Sequence, residues 1–169
     1  MSKTHVIDFS EFDVNKPIAG KEEILAVNRQ RFEMQQLDGI LFEDGEKRLC
    51  VGYKDATEDE FWVRGHMPGM PVMPGVVMCE IAAQLSSYLC TKFDFLGAEV
   101  VGLGGLEEIR FRNVVRPGDR FVVMLKQVKV RYKAMIVCYF QGYVDQNLVC
   151  DGKIKGIPLP TDALTASDT

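Results

Sequence analysis

The chain is 169 residues long, 47% apolar and 26% charged, a size and balance that suit one well-cored globular domain and leave little room for a second. Its formal charge of −4 excludes the strong basic excess that marks a nucleic-acid binder. Five cysteines (Cys50, Cys79, Cys90, Cys138, Cys150) form no CxxC pair, and only two histidines accompany them, so no metal site is expected and the thiols read as reduced core residues of a cytoplasmic protein.

In chain order, residues 1–20 carry no charged-then-apolar leader and mix charges with Pro17 and Gly20; a loosely held arm is expected there, ahead of a single domain over 21–157. Lys21 to Val27 reads as a short helix, with Glu22 and Glu23 in its first turn and Ile24, Leu25 and Val27 on a buried face. Phe32 to Ile40 can form a strand. The turn signal Glu43-Asp44-Gly45-Glu46 separates it from a half-buried strand, Lys47 to Tyr53, with Leu49, Val51 and Tyr53 on one face. A polar loop, Thr57 to Glu60, leads through Phe61-Trp62-Val63 into residues 64–75, which hold three prolines and three glycines around His66. Val76 to Cys90 then reads as a helix with Pro74 at or just ahead of its first turn. It is apolar nearly all round, which places it in the centre of the fold; Glu80, Gln84 and two serines make it too polar to span a bilayer.

Beyond Gly97, strands are expected over Val100 to Leu106, Ile109 to Val115, Phe121 to Tyr132, Met135 to Val144 and Leu148 to Ile154, with turns at Arg116-Pro117-Gly118-Asp119 and Asp145-Gln146-Asn147. Short connections between successive strands imply an antiparallel sheet. The fold class is therefore α+β, a sheet wrapped around one central apolar helix, followed by a small, polar, mobile tail at 158–169. Such a sheet covers only part of the helix, and a homodimer would cover the rest.

Three features in this region carry chemistry. Glu80 is the lone charge between Gly75 and Cys90; a carboxylate there is costly unless paired, so it is either an acid/base group or a residue satisfied by an arginine or a dimer seam. His66 is either an ordinary loop histidine or a fixed base. Pro68, Pro71 and Pro74 favour the second, since they remove backbone freedom around it. The Gly75 N–H, at a helix start, is a donor for developing negative charge. A base, a carboxylic acid and an oxyanion-type donor suffice for enolisation or β-elimination beside a carbonyl.

Residues 65–84, Gly-His-Met-Pro-Gly-Met-Pro-Val-Met-Pro-Gly-Val-Val-Met-Cys-Glu-Ile-Ala-Ala-Gln, closely resemble the signature of the FabZ-type 3-hydroxyacyl-acyl-carrier-protein dehydratases of fatty acid synthesis, which have the hotdog fold. The fourteen positions between His66 and Glu80 are the family's separation, and Leu106 to Arg112 with Val115 to Asp119 resembles its second strand block. The resemblance covers roughly residues 20 to 156. It implies that His66 removes the C2 proton of a (3R)-3-hydroxyacyl thioester, that Glu80 of the partner subunit protonates the departing C3 hydroxyl, and that the product is the trans-2-enoyl thioester. It further implies that Gly75 polarises the thioester carbonyl, that Gln84 orients the carboxylate, and that Pro74, Val76 and Met67 border the substrate, Met67 standing where the family has Phe. No cofactor is implied. The implied partners are an acyl carrier protein bearing the substrate on phosphopantetheine and a second copy sharing its active sites, with a trimer of dimers as a further assembly. The segment Leu25 to Gly39 departs from the family pattern: it lacks the usual Pro and His, and Asp38 is followed by Gly39 instead of Arg.

Between Arg110 and Lys133 there are eight cations against Asp119 alone. They are either solvated strand faces or a basic rim, including Arg110, Arg112, Arg116 and Arg120, that steers an acidic carrier protein. Two other readings stand beside the dehydratase: a hotdog thioesterase whose carboxylate activates water, and a non-catalytic subunit that binds acyl thioesters.

Overall fold

The computed structural model describes residues 4–162; most of the tail expected at 158–169 lies outside them. Two helices and six strands follow in the order α1 (Lys21–Val27), β1 (Gly39–Asp44), β2 (Leu49–Asp55), α2 (Gly75–Lys92), β3 (Val101–Phe111), β4 (Arg120–Arg131), β5 (Met135–Val144) and β6 (Asn147–Pro158). The strands form one sheet in the order β1-β2-β4-β5-β6-β3, every neighbouring pair antiparallel. The chain must therefore cross from β2, near one edge, to β3 at the other, and α2 makes that crossing over the inner face.

The composition of α2 explains its place. Its buried residues include Val77, Met78, Ile81, Ala82, Leu85, Tyr88 and Leu89, and they pack with Cys50, Phe121, Val123, Leu125, Phe140 and Ile154 of the sheet into the main core. One stripe alone is less buried: Val76, Glu80, Ala83, Ser87 and Thr91, spaced as one helical face. At Gly52 the helix approaches so closely that a Cβ would sit 2.9 Å from both Leu37 and Leu85, which is why the second strand carries glycine facing the helix.

Four expectations change against the structure. First, the arm at 4–20 is packed, not loose: Ile7 is buried, Val6 donates to Gln141 and Ala19 bridges to Ile40. Ile7, with Phe9 and Phe12 beside it, covers a second apolar cluster of Leu41, Val51, Tyr53, Val122, Met124 and Tyr143 on the outer face of the sheet. Second, the alternation Leu49-Val51-Tyr53 consequently marks the outer face, while Cys50 faces the helix. Third, Phe32–Met34 is a 3₁₀ turn, and β1 starts at Gly39 and runs through Glu43 and Asp44. Fourth, the strands expected at 100–106 and 109–115 are one strand, β3, whose register against β6 slips twice and whose Glu108 adopts φ +55°. A bulge of this kind breaks the period-2 pattern without ending the strand.

The last strand also runs into the expected tail, and the Leu159 N–H donates to the Val100 carbonyl. Strand β3 is an open sheet edge, with Leu103, Leu106 and Phe111 exposed and Val76 and Val114 exposed elsewhere. Among the described residues no helix is long and apolar enough to cross a membrane.

Candidate active site

The Pro/Gly segment is held rigidly by its own backbone. The N–H groups of Gly65 and His66 both donate to the Trp62 carbonyl, at 3.1 and 2.7 Å, and Trp62 itself is buried. The Val72 N–H donates to the His66 carbonyl at 2.9 Å, while Met67 and Met70 exchange a reciprocal pair of bonds at 3.0 and 2.9 Å. Met73 N–H reaches across to the Val115 carbonyl at 2.8 Å. The His66–Met67 peptide is cis. Most important, His66 Nδ1 lies 2.8 Å from the Val72 carbonyl oxygen. A carbonyl can only accept, so Nδ1 carries a proton, and in the neutral ring Nε2 is the nitrogen that keeps its lone pair. The imidazole is thus set in the tautomer of a base.

At the other end of the segment, Pro74 is the N-cap of α2 and Gly75 its first residue. The first N–H groups of a helix have no intrahelical acceptor and lie at the positive end of its dipole. A Cβ on Gly75 would sit 2.8 Å from the Phe111 ring, so glycine is the residue that lets the helix start beneath the end of β3. Gly75, Val76, Met73 and Phe111 line an apolar depression of about 380 Å³. Met67 is half exposed and Val76 largely exposed.

Glu80 follows on the less buried stripe of α2, where Gln84 Nε2 donates to its Oε1 at 2.8 Å. Gln84 is fully engaged: Nε2 also donates to the Met34 carbonyl at 2.5 Å, and Oε1 accepts from the N–H groups of Gln36 and Leu37 at 3.0 and 3.2 Å. The buried Asn28 Nδ2 donates to the Gln84 carbonyl at 2.9 Å. This clamps the segment that departs from the family pattern onto α2. Sequence reasoning identified Gln84 but missed Asn28, Phe111 and the Val72 carbonyl. Asn28 sat in a stretch without periodicity, and a backbone acceptor leaves no trace in residue type.

Glu80 lines a second cavity, of about 260 Å³, between α2 and the β3–β6 edge. Its walls include Ala83, Val101, Leu103 and Ile154. Among the described residues no hydrogen bond joins Glu80 to His66; within one chain the structure pairs Glu80 with Gln84 and His66 with Val72.

The candidate carrier contacts separate into two kinds. Arg112 donates from Nε and Nη2 to Asp151 Oδ1 at 3.0 and 2.7 Å. Arg120 forms a two-pronged pair with Asp55, both bonds 2.7 Å, donates to the Val14 carbonyl and stacks 4.1 Å over the Tyr53 ring. Both are spent in bracing the fold, Arg120 beneath the N-terminal arm. Arg110 and Arg116 are exposed and their guanidinium groups carry no ion pair among the described residues. The five cysteines are all free and buried; burial pushes the thiols of Cys138 and Cys150 up to about 12 and that of Cys90 up to about 11.

Comparison with known proteins places these features in context. Residues 28–153 match the family described as FabA-like domain. A 3-hydroxyacyl-[acyl-carrier-protein] dehydratase FabZ from Desulfotalea psychrophila is 35% identical over 133 residues, 78% of this chain and 87% of that protein. The FabZ of Caldicellulosiruptor saccharolyticus is 33% identical over 136 residues, 78% of this chain and 92% of the relative. Among solved structures, a chain of the dehydratase heterocomplex ApeI:P from Xenorhabdus doucetiae aligns with a TM-score of 0.69 at 10% identity, covering 86% of this chain and 97% of its own. The PaaI protein of the E. coli phenylacetic acid degradation operon aligns at 0.55 and 16%, covering 70% and 80%. These structural likenesses concern the fold, an antiparallel sheet around a central helix, which is the expected hotdog arrangement.

Proposed function

From the premise that the chain belongs to the FabA-like family, we propose that it dehydrates (3R)-3-hydroxyacyl thioesters carried on an acyl carrier protein. The observation that carries this reading is the His66 Nδ1–Val72 bond, which leaves Nε2 as the free base at the end of a rigid bracket. Nε2 takes the C2 proton. Charge that develops on the thioester oxygen is stabilised by the Gly75 N–H and the helix start. The C2 electron pair forms the C2=C3 double bond as the C3–O bond breaks, and protonated Glu80 delivers its proton to the leaving hydroxyl, which departs as water.

In this proposal the base and the acid come from two copies of the chain. The open β3 edge and the exposed apolar residues Leu103, Leu106, Phe111 and Val76 are the surface a second copy would cover. Arg110 and Arg116 remain as the cations able to attract an acidic carrier protein.

General acid–base groups contribute about 10²–10⁴ in rate. His66→Ala and Glu80→Ala are each expected to lose at least about 100-fold in formation of the enoyl thioester, followed by its ultraviolet absorbance, with melting temperature little changed. Release of free thiol without an enoyl product would identify a thioesterase instead, and undiminished rates in both variants would remove these residues from the chemistry.

A further inference from the structure

Besides Glu80, the cavity is lined by the polar side chains of Gln30, Ser86, Ser87 and Lys155, which the mechanism above leaves unused. Gln30 borders the same 260 Å³ space, and its Oε1 is buried without any hydrogen-bond donor among the described residues. A buried acceptor left in this state is costly, and native structures keep few of them. Nor is Gln30 loosely placed. The guanidinium of Arg31 gathers the carbonyls of Leu25, Asn28 and Gln30 at 2.9, 2.8 and 2.8 Å. Asn28 in turn is bonded to the Gln84 carbonyl, and Gln84 is the residue that holds Glu80. The Gln30 backbone and the Glu80 carboxyl group are therefore tied together through one chain of hydrogen bonds.

The surroundings limit what could satisfy it. Ala83, Val101, Leu103 and Ile154 make apolar walls; of the side-chain donors beside them, Ser86 donates to Cys138 Sγ at 3.2 Å, and neither Ser87 nor Lys155 bonds to Gln30 Oε1. With none of these side chains bonded to the acceptor, a bound ligand can bring the missing donor, beside a carboxyl group that gives up a proton. The C3 hydroxyl of a 3-hydroxyacyl chain is such a group. Its oxygen must accept a proton from Glu80 while its own hydrogen points elsewhere, and that hydrogen needs an acceptor.

We propose that Gln30 Oε1 accepts the hydrogen bond of the substrate's C3 hydroxyl and so orients the oxygen lone pair toward Glu80. This rests on the dehydratase reading of the site. In the elimination, the C3–O bond breaks and the oxygen leaves as water, with its original hydrogen on Gln30 and its new one received from Glu80; Gln30 itself neither gains nor loses a proton. Gln30 is thereby a substrate-binding residue that distinguishes a 3-hydroxyacyl chain from a saturated one, because only the hydroxyl satisfies the buried acceptor.

The test is Gln30→Met, which keeps the length of the side chain and removes its hydrogen bonding. Two quantities are read on wild type and variant: kcat/KM for a 3-hydroxyacyl thioester, and the Kd of the saturated acyl thioester of the same length. The expected result is about a tenfold loss in kcat/KM with the saturated ligand bound as well as before, or better. Equal kcat/KM in the two proteins, or a parallel loss for both ligands, overturns the proposal. If the Met variant does not fold, Gln30→Ala is read in the same way. Wild-type protein that dehydrates no 3-hydroxyacyl thioester refutes the proposed function itself; an active wild type with an indifferent variant refutes only the role of Gln30.

Discussion

At the scale of single residues, Gln84 does more than orient a carboxylate. One side chain satisfies two backbone N–H groups, one carbonyl and Glu80. Replacing it by Leu leaves the buried N–H groups of Gln36 and Leu37 and the more exposed Met34 carbonyl without this partner, at about 1–3 kcal/mol for each group that water cannot reach. Gln84→Leu is therefore expected to lower the urea midpoint markedly as well as kcat, whereas Glu80→Ala lowers kcat with little effect on the midpoint. A Leu variant of unchanged stability would contradict the four-bond arrangement. Legibility at this scale followed chemistry. His66, Gly75 and Glu80 stood out because residue type and setting together imply proton transfer near a carbonyl, and Gln84 stood out only through the family resemblance. Gln30 and Asn28 did not, because an amide in an aperiodic stretch has no meaning until the backbone folds it against α2.

Among elements, the decisive contact joins the start of α2 to the end of β3. Gly75 has no room for a Cβ because the Phe111 ring lies 2.8 Å from where it would be. Gly75→Ala is expected to push the helix start away from Phe111 and displace the N–H proposed to face the thioester. Misplacement by about 1 Å can cost on the order of 100-fold in rate. Phe111 is half exposed, so Phe111→Ala costs little by itself and should restore part of the activity in the double variant. Additive losses would show that the clash is not the cause. The central helix, the antiparallel sheet and most turns were readable from periodicity and Pro/Gly signals. The bulged β3 was split in two because its Glu108 interrupts the alternation, and the outer-face role of Leu49, Val51 and Tyr53 was hidden because alternation reports that a face is covered, not by what.

Across the whole molecule, buried thiols couple stability to alkaline pH. The ordinary thiol value is about 8.5, and Cys138 and Cys150 are pushed up to about 12 by burial. Below about pH 8.5 both folded and unfolded chains hold these protons and stability is complete. Above it the unfolded chain releases protons that the folded chain retains, so stability falls as pH rises, until the pH passes about 12. Each such thiol contributes a slope of up to about 1.4 kcal/mol per pH unit. The melting temperature should decline steadily between pH 8 and 10.5, and more shallowly in Cys138→Ala, even though that variant starts less stable. A flat profile in the wild type would show the thiols to be more accessible than the fold makes them.

The packed arm at the beginning of the chain has a consequence for timing. Val6 and Gln141, which it joins, are 135 positions apart, so that contact cannot form until β5 has been made and paired. A contact this distant in sequence belongs among the slow steps of folding. During synthesis the arm, which emerges before β5, is thus among the last segments to find its place. Until they do, Val51, Tyr53, Val122, Met124 and Tyr143 form an uncovered apolar surface on the back of the sheet. The window in which the newborn chain is prone to aggregate is set by the arm, remote in sequence from the bracket proposed to do the chemistry.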